Sequence, residues 1–164
     1  MKSTLVIIFL FLAHVSLAQV DSTTPPYLKF PGHPPLQIML GDSSKYTKDD
    51  LPRKKPVMIM LFHPDCNHCQ QSAGEMVLEK DKLKGIHIVM VTTQGIDEMN
   101  DFVEKYRLKE IPGLVVGKDI YYLLASFYSA RSLPYHALYD KKGRLITAME
   151  GAYPLHTLLD FFKK

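Results

Sequence analysis

Val57-Met58-Ile59-Met60-Leu61-Phe62-His63-Pro64-Asp65-Cys66-Asn67-His68-Cys69-Gln70 is an unbroken apolar run that ends in two cysteines spaced CxxC. A strand covered on both faces loses the usual in-out alternation, so Val57 to Phe62, entered through Pro56, reads as the centre of a sheet. From Cys69 onward, Ala73, Met76 and Val77 recur at helical spacing, which places Cys69 on a helix and Cys66 at its N-terminus. Unsatisfied backbone N–H groups and the helix dipole stabilise a thiolate at that end, so Cys66 reads as the nucleophile. Cys69 lies one turn on, where it can attack a mixed disulfide formed at Cys66 and release the partner. His68 sits between the sulfurs in sequence and is expected to tune them by partial positive charge or a hydrogen bond. Asp65 opposes it, because a carboxylate beside Cys66 disfavours a second negative charge.

Outward from this segment the chain alternates strand and helix. Upstream, Leu36 to Leu40 alternates like a strand, and Gly41-Asp42-Ser43-Ser44 closes it as a turn. Downstream, Ile86 to Val91 is a second buried strand. The stripe Ile96, Met99, Phe102, Val103, Tyr106 predicts a helix with Asp97 as a possible cap. Leu114 to Val116 reads as a short strand ended by Gly117, followed by a helix through Ile120, Leu123, Leu124 and Phe127. After Pro134 the pattern becomes antiparallel: Tyr135 to Tyr139 and Arg144 to Met149 flank the hairpin turn Asp140-Lys141-Lys142-Gly143. A last helix opens with Pro154 in its first turn and aligns Leu155, Leu158, Leu159 and Phe162. The Met and aromatic residues in these stripes read as core packing rather than as a cofactor box.

Composition limits the function classes. The 164 residues, 46% hydrophobic and 23% charged, are sized for one globular unit. A formal charge of +3, spread along the sequence, does not indicate a nucleic-acid surface. With two cysteines and no tryptophan, neither a disulfide-dense scaffold nor a four-cysteine zinc module can be built. At the start, Lys2 precedes the apolar run Thr4 to Ala13 and the small-x-small pattern Ser16-Leu17-Ala18, the form of a secretory signal too short to span a bilayer. The expected organisation is a signal peptide over 1–18, a Pro-, Ser- and Thr-rich extended lead-in over 19–35, and one domain over 36–164. The expected product is an exported monomer, periplasmic or secreted, with no membrane span after cleavage.

The strand, the CxxC at a helix start, a later proline before an antiparallel hairpin and the closing helix resemble the thioredoxin fold, an α/β fold with a central mixed sheet flanked by helices. Together with the export segment, they are similar to the TlpA-like thiol-disulfide oxidoreductases over roughly residues 28–164. The resemblance implies that Pro134 is cis and faces the sulfurs, and that Leu133 offers its backbone to an extended substrate. It also implies partners that are protein thiols or disulfides, with a separate electron donor or acceptor, and no organic cofactor, since electrons pass through the sulfurs themselves. Three departures stand out. Thioredoxin's buried acid is replaced by Met60, the tryptophan before the motif by Asp65, and a glutamate common after the second cysteine by Ser72. Glu75, about a turn and a half past Cys69, reads as a solvated helix residue and only weakly as a proton acceptor. His63 is a second weak candidate. Thiol exchange is the first reading of the CxxC. A copper or zinc carrier using His63, Cys66, His68 and Cys69 is the second, and an inert structural disulfide or non-catalytic binding domain the third. Gln70 directly after the motif excludes covalent haem attachment.

Overall fold

A computed structural model describes residues 24–163; the expected signal peptide and the first residues of the lead-in lie outside them. The elements in chain order are α1 (Pro26–Lys29), β1 (Gln37–Leu40), β2 (Lys45–Thr47), β3 (Val57–Leu61), α2 (Asn67–Leu78), β4 (His87–Thr92) and α3 (Ile96–Lys105). There follow β5 (Leu114–Lys118), α4 (Leu123–Tyr128), β6 (Tyr135–Tyr139), β7 (Leu145–Glu150) and α5 (Leu155–Asp160). The strands form one seven-stranded sheet in the order β2-β1-β5-β4-β3-β6-β7. The β5-β4-β3 core is parallel, and the flanking pairs β3-β6, β6-β7, β1-β5 and β1-β2 are antiparallel. Among the described residues no helix is long and apolar enough to cross a membrane.

β3 lies inside the sheet between β4 and β6, and all its residues are buried. Its side chains alternate between two cores. Met58 and Met60, with the following Phe62, pack with Cys69, Ala73 and Met76 of α2, Phe102 of α3 and Leu155 and Leu158 of α5. Val57, Ile59 and Leu61 pack on the other face with Leu36, Ile38, Leu124 and Tyr128. Burial of each such side chain contributes on the order of 2 kcal/mol, so this strand anchors both layers.

Several elements differ from the sequence reading for identifiable reasons. β2 escapes the apolar pattern because it is a short edge strand with one exposed and two half-buried residues, made by pairing with β1. The lead-in is not uniformly extended. It contains α1, Tyr27 packs on Tyr128 with ring centroids 6.0 Å apart, and Pro31 O accepts the N–H of Leu145 at 2.7 Å. Asp97 is not a cap: Gly95 takes that position, and Asp97 lies in the first turn, where its charge complements the helix dipole. The helix expected from Ile120 begins only at Leu123, because Tyr122 is left-handed at φ 55°. The buried Asp119 accepts the N–H of Leu124 at 2.8 Å and that of Tyr121 at 3.3 Å, which holds this turn.

Gly117 does not end its strand. β5 runs through it to Lys118, and Gly117 is paired with Leu40 on one side and Val91 on the other. The residue is glycine because Ile38 lies over it: an added Cβ would stand 2.6 Å from Ile38 Cδ1 and 3.1 Å from Ile38 Cβ. Rotating the Ile38 side chain cannot relieve a clash with its own Cβ. Gly117→Ala is therefore expected to lower unfolding stability by about 1–3 kcal/mol in urea titration, as overpacking does. Ile38→Ala in the same background should recover part of the loss, and a neutral Gly117→Ala would refute this packing argument.

Candidate active site

β3 delivers the chain to the CxxC just beyond its C-terminal end. Cys66 is the N-cap of α2, with extended backbone at φ −79° and ψ 113°. Its sulfur takes the place of a capping oxygen by accepting the Cys69 N–H at 3.3 Å. The half-buried Cys66 thiol points at the Leu133 carbonyl oxygen, 3.7 Å away, and the Leu133–Pro134 peptide bond is cis. Both cysteines are free thiols. Cys69 is fully buried on the inner face of α2. Burial, with the Cys66 sulfur adding to it, pushes its thiol up to about 12. The pair is therefore asymmetric: one accessible sulfur receives a helix-terminal N–H, and one sheltered sulfur is held as the thiol.

The neighbouring polar residues are less convergent. His68 is exposed, and its Nδ1 pairs with Gln71 Oε1 at 3.4 Å. Its pairing leads to Gln71 and not to either sulfur. Asp65 is exposed, and its N–H donates to His63 Nδ1 at 3.1 Å, turning that ring back on the loop. Among the described residues no three His, Cys, Asp or Glu side chains are grouped so that they could hold a metal ion. Gln70 Nε2 donates to Pro64 O at 2.8 Å and fixes the turn into the helix.

Glu75 is not the solvated residue that its position suggests. Its Oε1 accepts the N–H of Leu155 at 2.9 Å, the first residue of α5, where Pro154 offers no side-chain cap. It ties α2 to the closing helix.

A pocket of about 230 Å³ opens beside the cis-proline loop, walled by Phe62, Leu124, Ala130, Arg131 and Leu133. Sequence reasoning had no means of finding it, since these walls come from three separated segments.

Residues 47–164 match the family model of the thioredoxin-like domain. The chain belongs to the thioredoxin-like family. Solved structures share this thioredoxin-like fold at low sequence identity. A secreted Mycobacterium tuberculosis disulfide oxidoreductase homologous to Escherichia coli DsbE is 18% identical with a TM-score of 0.65, covering 77% of this chain and 93% of its own. The exposed lipoprotein thioredoxin of Streptococcus pneumoniae is 22% identical with a TM-score of 0.58, covering 76% and 97%. The peroxidoxin BcpB of M. tuberculosis is 11% identical with a TM-score of 0.67, covering 81% and 96%. No curated protein matches the chain by sequence.

One buried group in this thioredoxin-like chain was missed from the sequence. His136 on β6 stands directly opposite Met60 of β3 and Met149 of β7, and is 1% exposed. Neither ring nitrogen makes a well-formed hydrogen bond among the described residues, and only the Gly151 backbone partly favours the charged ring; Tyr153 meets the ring edge-on, with centroids 6.5 Å apart. A polar residue within the apolar run Tyr135 to Tyr139 was the available signal. Burial lowers its pKa to about 4, offset only in part by the Gly151 backbone, so it is neutral at pH 7. The unfolded chain takes up a proton near the ordinary 6.5 that the folded chain refuses until about 4. Stability therefore falls as the pH drops through that window, by on the order of 3 kcal/mol in full. His136→Leu should raise the melting temperature at pH 7 by removing unpaired buried nitrogens, and flatten the loss between pH 6.5 and 4. Thermal melts at stepped pH test this, and a variant as acid-sensitive as the parent would contradict it.

Proposed function

We propose that this chain exchanges dithiol for disulfide with protein substrates outside the cytoplasm. The observation that carries the reading is the asymmetric pair: Cys66 half-exposed at the N-cap with a helix N–H on its sulfur, and Cys69 buried one turn behind it. In the reducing direction the Cys66 thiolate attacks one sulfur of a substrate disulfide. A mixed disulfide forms, and the other substrate sulfur leaves as a thiolate. Cys69 then loses its proton to solvent and attacks the Cys66 sulfur. The Cys66–Cys69 bond forms, the second substrate thiolate leaves, and two electrons have passed to the substrate. The oxidising direction is the same sequence reversed, and either needs a separate electron donor or acceptor to reset the pair.

Leu133 and Pro134 hold the substrate chain across the sulfur in this reading. The Leu133 carbonyl already lies beside Cys66, and Pro134, without an N–H, adds no competing donor. The pocket beside the loop has room for one apolar substrate side chain. His68 favours the thiolate through space and Asp65 disfavours it. The metal-carrier alternative is less well supported, because His63 and His68 are engaged with Asp65 and Gln71 instead of converging on the sulfurs. Export rests on the apolar run and Ser16-Leu17-Ala18, and on the secreted disulfide oxidoreductase and the exposed lipoprotein thioredoxin among the structural neighbours. The proposed organisation remains a signal peptide over 1–18, a lead-in over 19–35 and a domain over 36–164.

Iodoacetamide at pH 7 should modify Cys66 at least about a hundredfold faster than Cys69, read by peptide mass after timed quenching. Cys66→Ala should abolish insulin-disulfide reduction, and Cys69→Ser should accumulate covalent complexes with substrate proteins. Equal labelling of the two sulfurs, or full activity without Cys66, would overturn the assignment.

A further inference from the structure

The pole of the molecule away from the dithiol has a distinct chemistry. β3 and β6 run antiparallel between the two ends, each about 16 Å long. Cys66 follows the end of β3, and Pro134 precedes the start of β6. At the far ends, Lys55 precedes β3 and Lys141 follows β6. There a basin of about 540 Å³ gathers cations from three separate segments. Lys48 comes from the short turn after β2, Arg53, Lys54 and Lys55 from the turn before β3, and Lys141 and Lys142 from the β6-β7 hairpin. Asp49 is the one carboxylate in its lining.

These six positive side chains are unneutralised: among the described residues, none of them takes part in an ion pair. The nearby acids are committed elsewhere. Asp50 accepts the backbone N–H and hydroxyl of Thr47, and Asp140 binds the Arg144 guanidinium and the backbone N–H groups of Lys142 and Arg144. The basin thus holds a net +5 in a chain whose whole formal charge is +3, leaving −2 for everything else. The charge that is evenly spread along the sequence is collected by the fold onto one face.

A second observation comes from the wall of the same basin. His33, in the lead-in, lines it with its ring against Tyr139, centroids 5.0 Å apart, and its Nε2 is buried without a hydrogen-bond partner. Burial, and then Lys48, lower its pKa, with Asp140 opposing. Several ammonium groups and a guanidinium gathered on one face are the recognition elements of a multiply charged oxyanion.

We propose that this basin binds a phosphate-bearing anion, either free or carried on a lipid headgroup. Such a ligand neutralises the unpaired cations together, and its seat at the far pole leaves the dithiol facing away from it. The inference is independent of the thiol chemistry and stands or falls separately from it.

The full chain without its first 18 residues is titrated with inorganic pyrophosphate by calorimetry. In parallel it is co-sedimented with phosphatidylcholine vesicles with and without phosphatidylglycerol. Saturable binding is expected in at least one arm: pyrophosphate binding identifies a soluble ligand, and binding only to the anionic vesicles identifies a headgroup. Lys54→Glu/Lys55→Glu should weaken it about tenfold or more, whereas the equally charged change Lys105→Glu/Lys109→Glu, outside the basin, should leave it within about twofold. Lys141→Ala/Lys142→Ala, which removes charge at an exposed turn without reversing it, gives a second reading if the first variant melts early. Absence of binding in both arms, or equal weakening by the basin and control variants, would overturn the proposal.

Discussion

Everything at the thiol site depends on the burial of β3 between two cores. A five-residue strand with both faces covered has no freedom to slide or rotate. Its exit point therefore places Cys66 at the mouth of α2, and its antiparallel pairing with β6 places Leu133 and Pro134 beside that sulfur. The register is what matters. Leu61 opposite Tyr135 brings the end of one strand to the start of the other, so two segments nearly seventy residues apart meet across a sulfur and a carbonyl oxygen. A one-residue slip would exchange the two core faces and carry the proline loop away from the cysteine.

The polar groups that the site does not use are as informative as those it does. Met60 stands where the resemblance to thioredoxin leads one to expect a buried acid, and the residue facing it across the strands is His136. Burial keeps that imidazole neutral and makes it a weak base, poorly matched to a Cys69 thiol held near 12. The resolving proton therefore goes to solvent in the proposed mechanism. Glu75, the other acid near α2, is spent on the first N–H of the closing helix. The helix under the dithiol is consequently fastened by an acid that in other circumstances would have been available for proton transfer.

Legibility differed sharply between elements. The central strands and the long amphipathic helix were readable because burial on both faces, or on one stripe, writes itself into periodicity over many residues. Short elements were not: β2 exists only through its pairing with β1, and the start of α4 is set by Tyr122 in a left-handed conformation and by Asp119 capping from the loop. Gly117 reads as punctuation in sequence, and its real constraint, the Ile38 side chain, comes from a strand far upstream. At the site, both cysteines and the proline loop were legible from local order. The engagement of His63 with Asp65 and of His68 with Gln71 was not, because side-chain pairing depends on rotamers that spacing leaves open.

By itself the sequence determined the alternating strand and helix plan, the location of both cysteines at a helix mouth, and the absence from it of any other cysteine for them to pair with. These follow from hydrophobic period and from counting, which need no partner in space. Only the tertiary structure decided which groups face one another: Cys66 toward Leu133, His136 toward Met60, Glu75 toward Leu155, and the lysines of three turns toward one basin. Contacts between distant segments are set by strand register and helix docking, and those are properties of the packed core as a whole.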